Sequence, residues 1–165
     1  MIRVADRDDL ARLPQIEKEA DALLIDFLHA EEWPAIASPD ERMGRVGYVL
    51  ALFEQEKVDA IGFAHVLLIE EHAHLEQLSV LPSHTRRGHG RSLVVAAKRE
   101  AAALGCASIT LRTFADVPWN APFYERCGFV ESPPLTPFER ELVRVEDGIG
   151  LTGLGRRVQM ACQLV

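Results

Sequence analysis

Cysteine is scarce: Cys106, Cys127 and Cys162 are the only three, they lie far apart, and no Cys-x-x-Cys pair occurs. An odd number of dispersed thiols argues for reduced cysteines in a cytoplasmic protein, against a disulfide framework or a thiolate zinc site. Long apolar runs are also missing, so no stretch approaches the roughly 20 residues that cross a bilayer. Asp6, Asp8 and Asp9 interrupt the N-terminal region before a signal-peptide core could form. Positive charge is in the minority, and the net charge is −7. That sign speaks against nucleic acid as a general partner and suits a cationic or amine substrate better. There is no internal repeat, low-complexity tract or interdomain linker. What remains is a chain of 165 residues, 48% apolar, with enough core-forming side chains for one α/β domain.

The most informative stretch runs from His74 to Gly105. Residues 74–81 alternate as a strand, with Glu76, Leu78 and Val80 on one face and Leu75, Gln77 and Ser79 on the other. Pro82 ends it, lacking a ladder N–H. Leu93, Ala97, Ala101 and Leu104 recur at helical spacing, and Gly105 stands where a C-terminal glycine belongs. Between strand and helix lie Gly88 and Gly90, with Arg86, Arg87 and Arg91 around them. Glycines let the backbone approach a ligand, the first helical N–H groups lack intrahelical partners, and the helix dipole is positive there. The combination suits a phosphate or pyrophosphate. On the residues alone, a plain strand-to-helix turn with solvated arginines reads equally well. A Walker lysine is absent, and Leu93 stands where a Rossmann motif needs its third glycine.

Around this stretch, the order of elements can be read along the chain. Residues 2–5 form a short strand. Asp6 caps a helix with the stripe Leu10, Leu13, Ile16, Ala20 and Leu23 or Leu24, in which Pro14 predicts a kink or break. Residues 21–37 read as a polar segment. Ser38-Pro-Asp-Glu41 is a capping box for a short helix ending near Gly44 or Gly47. Strands follow over 48–53 and 58–69, joined by a polar turn at 54–57, with Gly62 as a candidate bulge. After the long helix, residues 108–113 form a strand parallel to 74–81, because a helix connects them. Asn120 is a candidate N-cap for a short helix closed by Gly128. Thr136-Pro-Phe-Glu139 caps another over 137–147, and a last strand covers 157–163.

Val80-Leu-Pro-Ser-His-Thr-Arg-Arg-Gly-His-Gly90 resembles the acyl-CoA-binding motif of the GNAT N-acetyltransferases, Gln/Arg-x-x-Gly-x-Gly/Ala after a strand. Thr85 stands where Gln or Arg is usual. Asn120-Ala-Pro-Phe-Tyr-Glu-Arg-Cys-Gly-Phe129 resembles the second signature of that family, with Asn120 closer to Tyr124 than in its fullest form. The resemblance is specific over about 76–129. It implies one GNAT-like acyl-CoA N-acyltransferase domain over 1–165, an α/β mixed sheet of six to seven strands with helices on both faces. It implies acetyl-CoA as co-substrate, with no metal, and a primary amine as acceptor. It leaves open a homodimer through the C-terminal strands. Implied cofactor contacts are Leu78, Ser79 and Val80 on the strand, then Thr85, Arg86, Arg87, Gly88, His89, Gly90, Arg91 and Ser92 in the loop and first helical turn. Asn120, Phe123 and Tyr124 come from the second signature. In this family the two parallel strands splay apart and admit the thioester, and the segment after the first helix often lines the acceptor site.

The implied chemistry needs a base, because an alkylammonium with pKa about 10 is not a nucleophile. It also needs donors for the developing oxyanion and a proton donor for the leaving thiolate. Glu76 matches the family's glutamate on the central strand and is the candidate base. The alternative is an edge glutamate paired with an arginine such as Arg112. Tyr124 matches the tyrosine near the cofactor sulfur and is the candidate acid. The backbone of Leu78 and Val80 would pair with the pantetheine amides, with the Val80 N–H a candidate oxyanion donor. Two readings from other classes stand beside this one. The first is a non-catalytic acyl-CoA-binding or sensor module. The second is a metal site at His72, His74 and Glu76, which share alternate strand positions. His84 and His89 flank the loop as loop and helix-start residues.

Overall fold

A computed structural model describes residues 1–55 and 58–164. Its elements in chain order are β1 (Ile2–Val4), α1 (Arg7–Leu28), α2 (Pro39–Met43), β2 (Gly47–Phe53), β3 (Ala60–Ile69), β4 (His72–Val80), α3 (His89–Ala103), β5 (Ser108–Phe114), α4 (Ala121–Arg126), β6 (Val130–Ser132), α5 (Pro137–Gly148) and β7 (Arg157–Gln163). The seven strands form one mixed sheet in the order β1-β2-β3-β4-β5-β7-β6. Among the described residues only β4 and β5 pair in parallel; the other neighbours are antiparallel.

Helices cover both faces. Leu93, Val94 and Ala97 of α3 join Leu75, Ile109, Leu111 and Phe129 in the larger core cluster. Leu10, Leu13 and Ile16 of α1 join Val49, Ala51 and Phe63 in the smaller cluster. On the α1 side α5 also meets the sheet, where Phe138 packs edge-to-face on His74 at 5.2 Å.

Helix starts follow the sequence closely. Asp6–Asp9, Ser38–Glu41 and Thr136–Glu139 all form complete capping boxes. Pro14 breaks nothing: α1 runs through it to Leu28. The lost N–H bond of an interior proline costs about 3 kcal/mol. The capping box and the burial of Leu10, Leu13 and Ile16 offset it. The helix therefore takes in residues 21–28, which the sequence suggested as part of a polar segment. Gly105, at φ +86, turns the chain out of α3. The bulge expected at Gly62 falls beside it: Leu52 pairs with Gly62 and Phe53 with Ala60, leaving Ile61 extra. A Cβ on Gly62 would lie 2.8 Å from the Ser79 carbonyl oxygen, so this close approach requires glycine. The polar turn expected at 54–57 includes Glu56 and Lys57, which lie outside the described residues.

Candidate active site

The site begins with a fork in the sheet. The parallel ladder of β4 and β5 runs from His72–Ser108 to Leu75–Leu111 and ends there, although β4 continues to Val80 and β5 to Phe114. At the same point β4 bulges. Val66 of β3 pairs with Leu75 and His65 with Gln77, so Glu76 has no partner on β3. An extra residue reverses the alternation beyond it. This corrects the sequence expectation that Glu76 shares a face with Leu78 and Val80. It is Leu75 that lies with Leu78 and Val80 against the α3 core. Glu76 turns to the opposite face with His74, whose Nε2 is 3.6 Å from its Oε2. Arg112, the alternative partner, instead donates from Nε to Glu146 at 2.5 Å.

One cleft of about 1530 Å³ takes in the fork, with lining residues from α1, α2, β4, β5, α4 and α5. Small-molecule pockets usually measure about 300–1,000 Å³, so this cleft has room for more than one ligand. At one end stands the loop into α3. Arg86 has φ +60 and Gly88 φ +80. Of the three helices longer than ten residues, α1 and α5 carry a side-chain cap, whereas α3 starts at Gly88 with none. Its first N–H groups therefore face the cleft without side-chain acceptors, which fits an anion. A Cβ on Gly90 would meet the Phe123 ring at 3.3 Å, so glycine also keeps this wall thin. Thr85, Arg86, Gly88, His89, Gly90 and Arg91 line the cleft. Arg87 and Ser92 do not. The Arg87 guanidinium pairs with Glu54 at 3.1 Å, and the Ser92 hydroxyl donates to the Gly88 carbonyl at 3.1 Å.

Leu78, Ser79 and Val80 line the cleft along the unpaired edge of β4, and Asn120, Phe123 and Tyr124 line it from α4. Asn120 does not cap α4 with its side chain. Its Oδ1 accepts from the Thr113 hydroxyl at 2.8 Å, which ties the start of α4 to the end of β5. Tyr124 stacks edge-to-face with Phe123 and Phe129, at 5.0 and 5.9 Å. Burial raises its phenol pKa well above 10, so it stays protonated at every physiological pH.

The opposite end of the cleft is acidic. Glu76 keeps a third of its side-chain surface open (33%) but lies between cleft walls. The loss of solvent raises its pKa, opposed by the charges of Arg45 and Arg42. Glu17 and Asp21, one turn apart on α1, line the same end. Burial lifts Glu17 to about 7 and raises Asp21 as well. Glu17 is held by Arg42, which is 3% exposed and lies over the Phe63 ring. Asp21 accepts from the Trp33 indole N–H at 3.1 Å. Sequence reading missed Glu17, Asp21 and Arg42. Glu17 did carry a signal: it sits four residues after Leu13 and three before Ala20, on the buried stripe of α1. On the α5 side, Glu146 is shared by Arg112 and Arg157, the latter at 2.6 Å.

The three residues of the metal reading do not converge. His72 meets the Ser108 hydroxyl and His74 the Thr110 hydroxyl, both at 2.9 Å. Among the described residues no group of three or more His, Cys, Asp or Glu side chains is arranged to hold a metal. No described helix is long and apolar enough to cross a membrane.

A mixed sheet forked between two parallel strands, with an uncapped glycine-led helix at the fork, defines an acyl-CoA-dependent acyltransferase fold. The model of the acetyltransferase (GNAT) family matches residues 9–129, most of the chain, and the protein belongs to that family of acetyl-CoA-using enzymes. Solved structures agree on the fold. The ribosomal-protein-S18-alanine N-acetyltransferase of Escherichia coli superposes with a TM-score of 0.69 at 23% identity, covering 99% of this chain and 93% of its own. The PaiA N-acetyltransferase of Thermoplasma acidophilum, solved with coenzyme A, gives 0.74 at 18%, covering 99% and 98%. An aminoglycoside 6′-acetyltransferase type Ii gives 0.62 at 20%, covering 100% and 97%.

Proposed function

We propose that the protein moves an acetyl group from acetyl-CoA to a primary amine of a small molecule or peptide by direct attack, with Glu76 as base and Tyr124 as donor to the leaving sulfur. One observation carries this reading: the fork after Leu75–Leu111 joins the α3 loop, the free edge of β4, Tyr124 and Glu76 in one cleft. The amides from Gly88 to Arg91, with Arg86 and Arg91, would hold the pyrophosphate. The edge from Leu78 to Val80 would pair with the pantetheine arm as a strand does, leaving a backbone N–H for the charge developing on the carbonyl oxygen.

Glu76 takes a proton from the bound ammonium, directly or through a water, and the neutral nitrogen attacks the thioester carbonyl. The C–N bond forms and the C–S bond breaks. As the amide forms, the nitrogen sheds its second proton and the departing thiolate takes up one, so the products are the N-acetylated amine, the free thiol and the one proton that Glu76 releases. The raised pKa of Glu76 brings a carboxylate closer to the neutral range in which a general base works well. Tyr124 is shifted the other way for full proton transfer, since its phenol lies far above a thiol near 8.5. Its contribution is therefore an O–H hydrogen bond to the sulfur as charge builds.

The three structural relatives act, by their names, on a ribosomal protein alanine, an unspecified acceptor and an aminoglycoside. The fold therefore does not choose the acceptor. The test is amine-dependent thiol release from acetyl-CoA across an amine library. Release that needs both substrates and yields acetylated amine supports the reading. Acetyl-CoA binding with no amine-dependent release would leave a non-catalytic acyl-CoA-binding module.

A further inference from the structure

We infer that the acceptor carries its primary amine on an apolar body of aromatic size, held between α1 and α5. This rests on the transfer reading above and names the substrate class for the same cleft. On α1, Leu23 and Phe27 lie one turn apart and are 48% and 47% exposed. On α5 and just after it, Val145 and Ile149 repeat the pattern at 44% and 53%. Trp119, from the segment between β5 and α4, is 44% exposed and packs edge-to-face on Phe27 at 5.0 Å. All five line the cleft.

Leaving such side chains in water forfeits the burial that would stabilise the fold. Contiguous exposed apolar surface marks a binding site. Trp33 adds to this wall, with its one polar atom already committed to Asp21.

Charge orders the groove from its outer to its inner end. Phe27 lies six residues beyond Asp21 on α1, about 9 Å along the axis at 1.5 Å per residue. Glu17, one turn deeper on the same helix, is held by Arg42, so Asp21 and Glu76 are the carboxylates that an ammonium meets at this inner end. An ammonium directed to the carboxylates thus places a hydrophobic group of one ring's size against Phe27, Leu23 and Trp119. A polycation would need carboxylates along the outer groove. Of the lining acids, Glu146 is taken by two arginines and Glu41 caps α2, which leaves Asp26.

Both tryptophans of the chain, Trp33 and Trp119, line the cleft. Intrinsic fluorescence therefore reads acceptor binding whether or not transfer occurs. The intact protein, saturated with desulfo-coenzyme A, is titrated with 2-phenylethylamine, putrescine and ethanolamine. The expected result is at least tenfold tighter binding of 2-phenylethylamine. Phe27→Ala should weaken it about fivefold or more and leave coenzyme A affinity unchanged, with Leu23→Ala as the second variant. Putrescine or ethanolamine binding as tightly, or both variants without effect, overturns the inference. Acetylation of polar amines alone would likewise overturn it while the transfer reading stands. Tight binding of 2-phenylethylamine without its acetylation supports the groove assignment and counts against transfer.

Discussion

Leu75 and Leu111 are the last residues that β4 and β5 pair, and the residue after Leu75 is the bulged Glu76. The end of the ladder and the bulge are one event. An extra residue on β4 shifts the pleat, carries the strand away from β5 and turns a glutamate out of the core. The opened edge can then bind a ligand, and the carboxylate stands beside it.

Glu76→Gln should reduce kcat/KM by about 10²–10⁴, the usual worth of a positioned general base. In the wild type, kcat/KM should rise with pH through the raised pKa of Glu76, above the ordinary glutamate range near 4.3. That limb should vanish in the variant. A full pH–rate profile of both proteins checks this, and an unchanged limb assigns it to another group.

Tyr124→Phe removes the hydroxyl and keeps the ring contacts with Phe123 and Phe129. It should lower kcat by roughly 10–100-fold, the worth of about 1.4–3 kcal/mol in the transition state, with little change in the KM for acetyl-CoA. Steady-state kinetics with a verified amine reads both parameters.

Arg91 lines the cleft beside the uncapped start of α3, whereas Arg87 is paired with Glu54 outside it. Arg91→Glu should weaken acetyl-CoA binding roughly tenfold, more at low salt than at high salt. Arg87→Glu should change it much less. Calorimetric titration at two ionic strengths separates the two arginines.

Glu146 is 7% exposed and holds Arg112 and Arg157 at once. Glu146→Ala leaves two guanidinium groups without their carboxylate in a largely buried place and should cost about 3–5 kcal/mol. Thermal unfolding checks this; a change of a degree or less would mean that water replaces the carboxylate.

His74 is 4% exposed, and burial, with help from the Arg112 charge, lowers its pKa to about 4. The unfolded chain, with a value near 6.5, binds the proton first as pH falls. The contribution of a neutral His74 is therefore present above 6.5 and is lost as pH falls towards 4. It should amount to a loss on the order of 1 kcal/mol at pH 5.5. Glu17 and Glu76, shifted upward, act in the opposite direction. The comparison must therefore be differential: His74→Gln should flatten the fall in stability between pH 7 and 5 relative to wild type, by denaturant titration.

Much of the framework is legible along the chain because it is local. Asp6, Ser38 and Thr136 announce their helices through side chains that bond three residues away. Gly88 and Gly90 announce the loop because φ +80 at the first and the Phe123 ring 3.3 Å from a Cβ at the second both favour glycine. The face of Glu76 is not legible, because strict alternation points it the wrong way and only pairing with β3 reveals the bulge. Pro14 suggests a break that distant packing overrides. Arg42 and Glu17 meet across 25 residues, so neither pattern nor spacing joins them. Arg87 reads like its neighbours Arg86 and Arg91, and its pairing with Glu54, 33 residues away, cannot be seen in the spacing.

The most direct test incubates the protein with acetyl-CoA and a mixture of primary amines, then measures free thiol and acetylated amine together by mass spectrometry. Equal amounts of the two products, both much reduced by Glu76→Gln and Tyr124→Phe, are expected. Thiol released without any acetylated amine, or acetylation unaffected by both substitutions, would contradict transfer at the β4–β5 fork through these two residues.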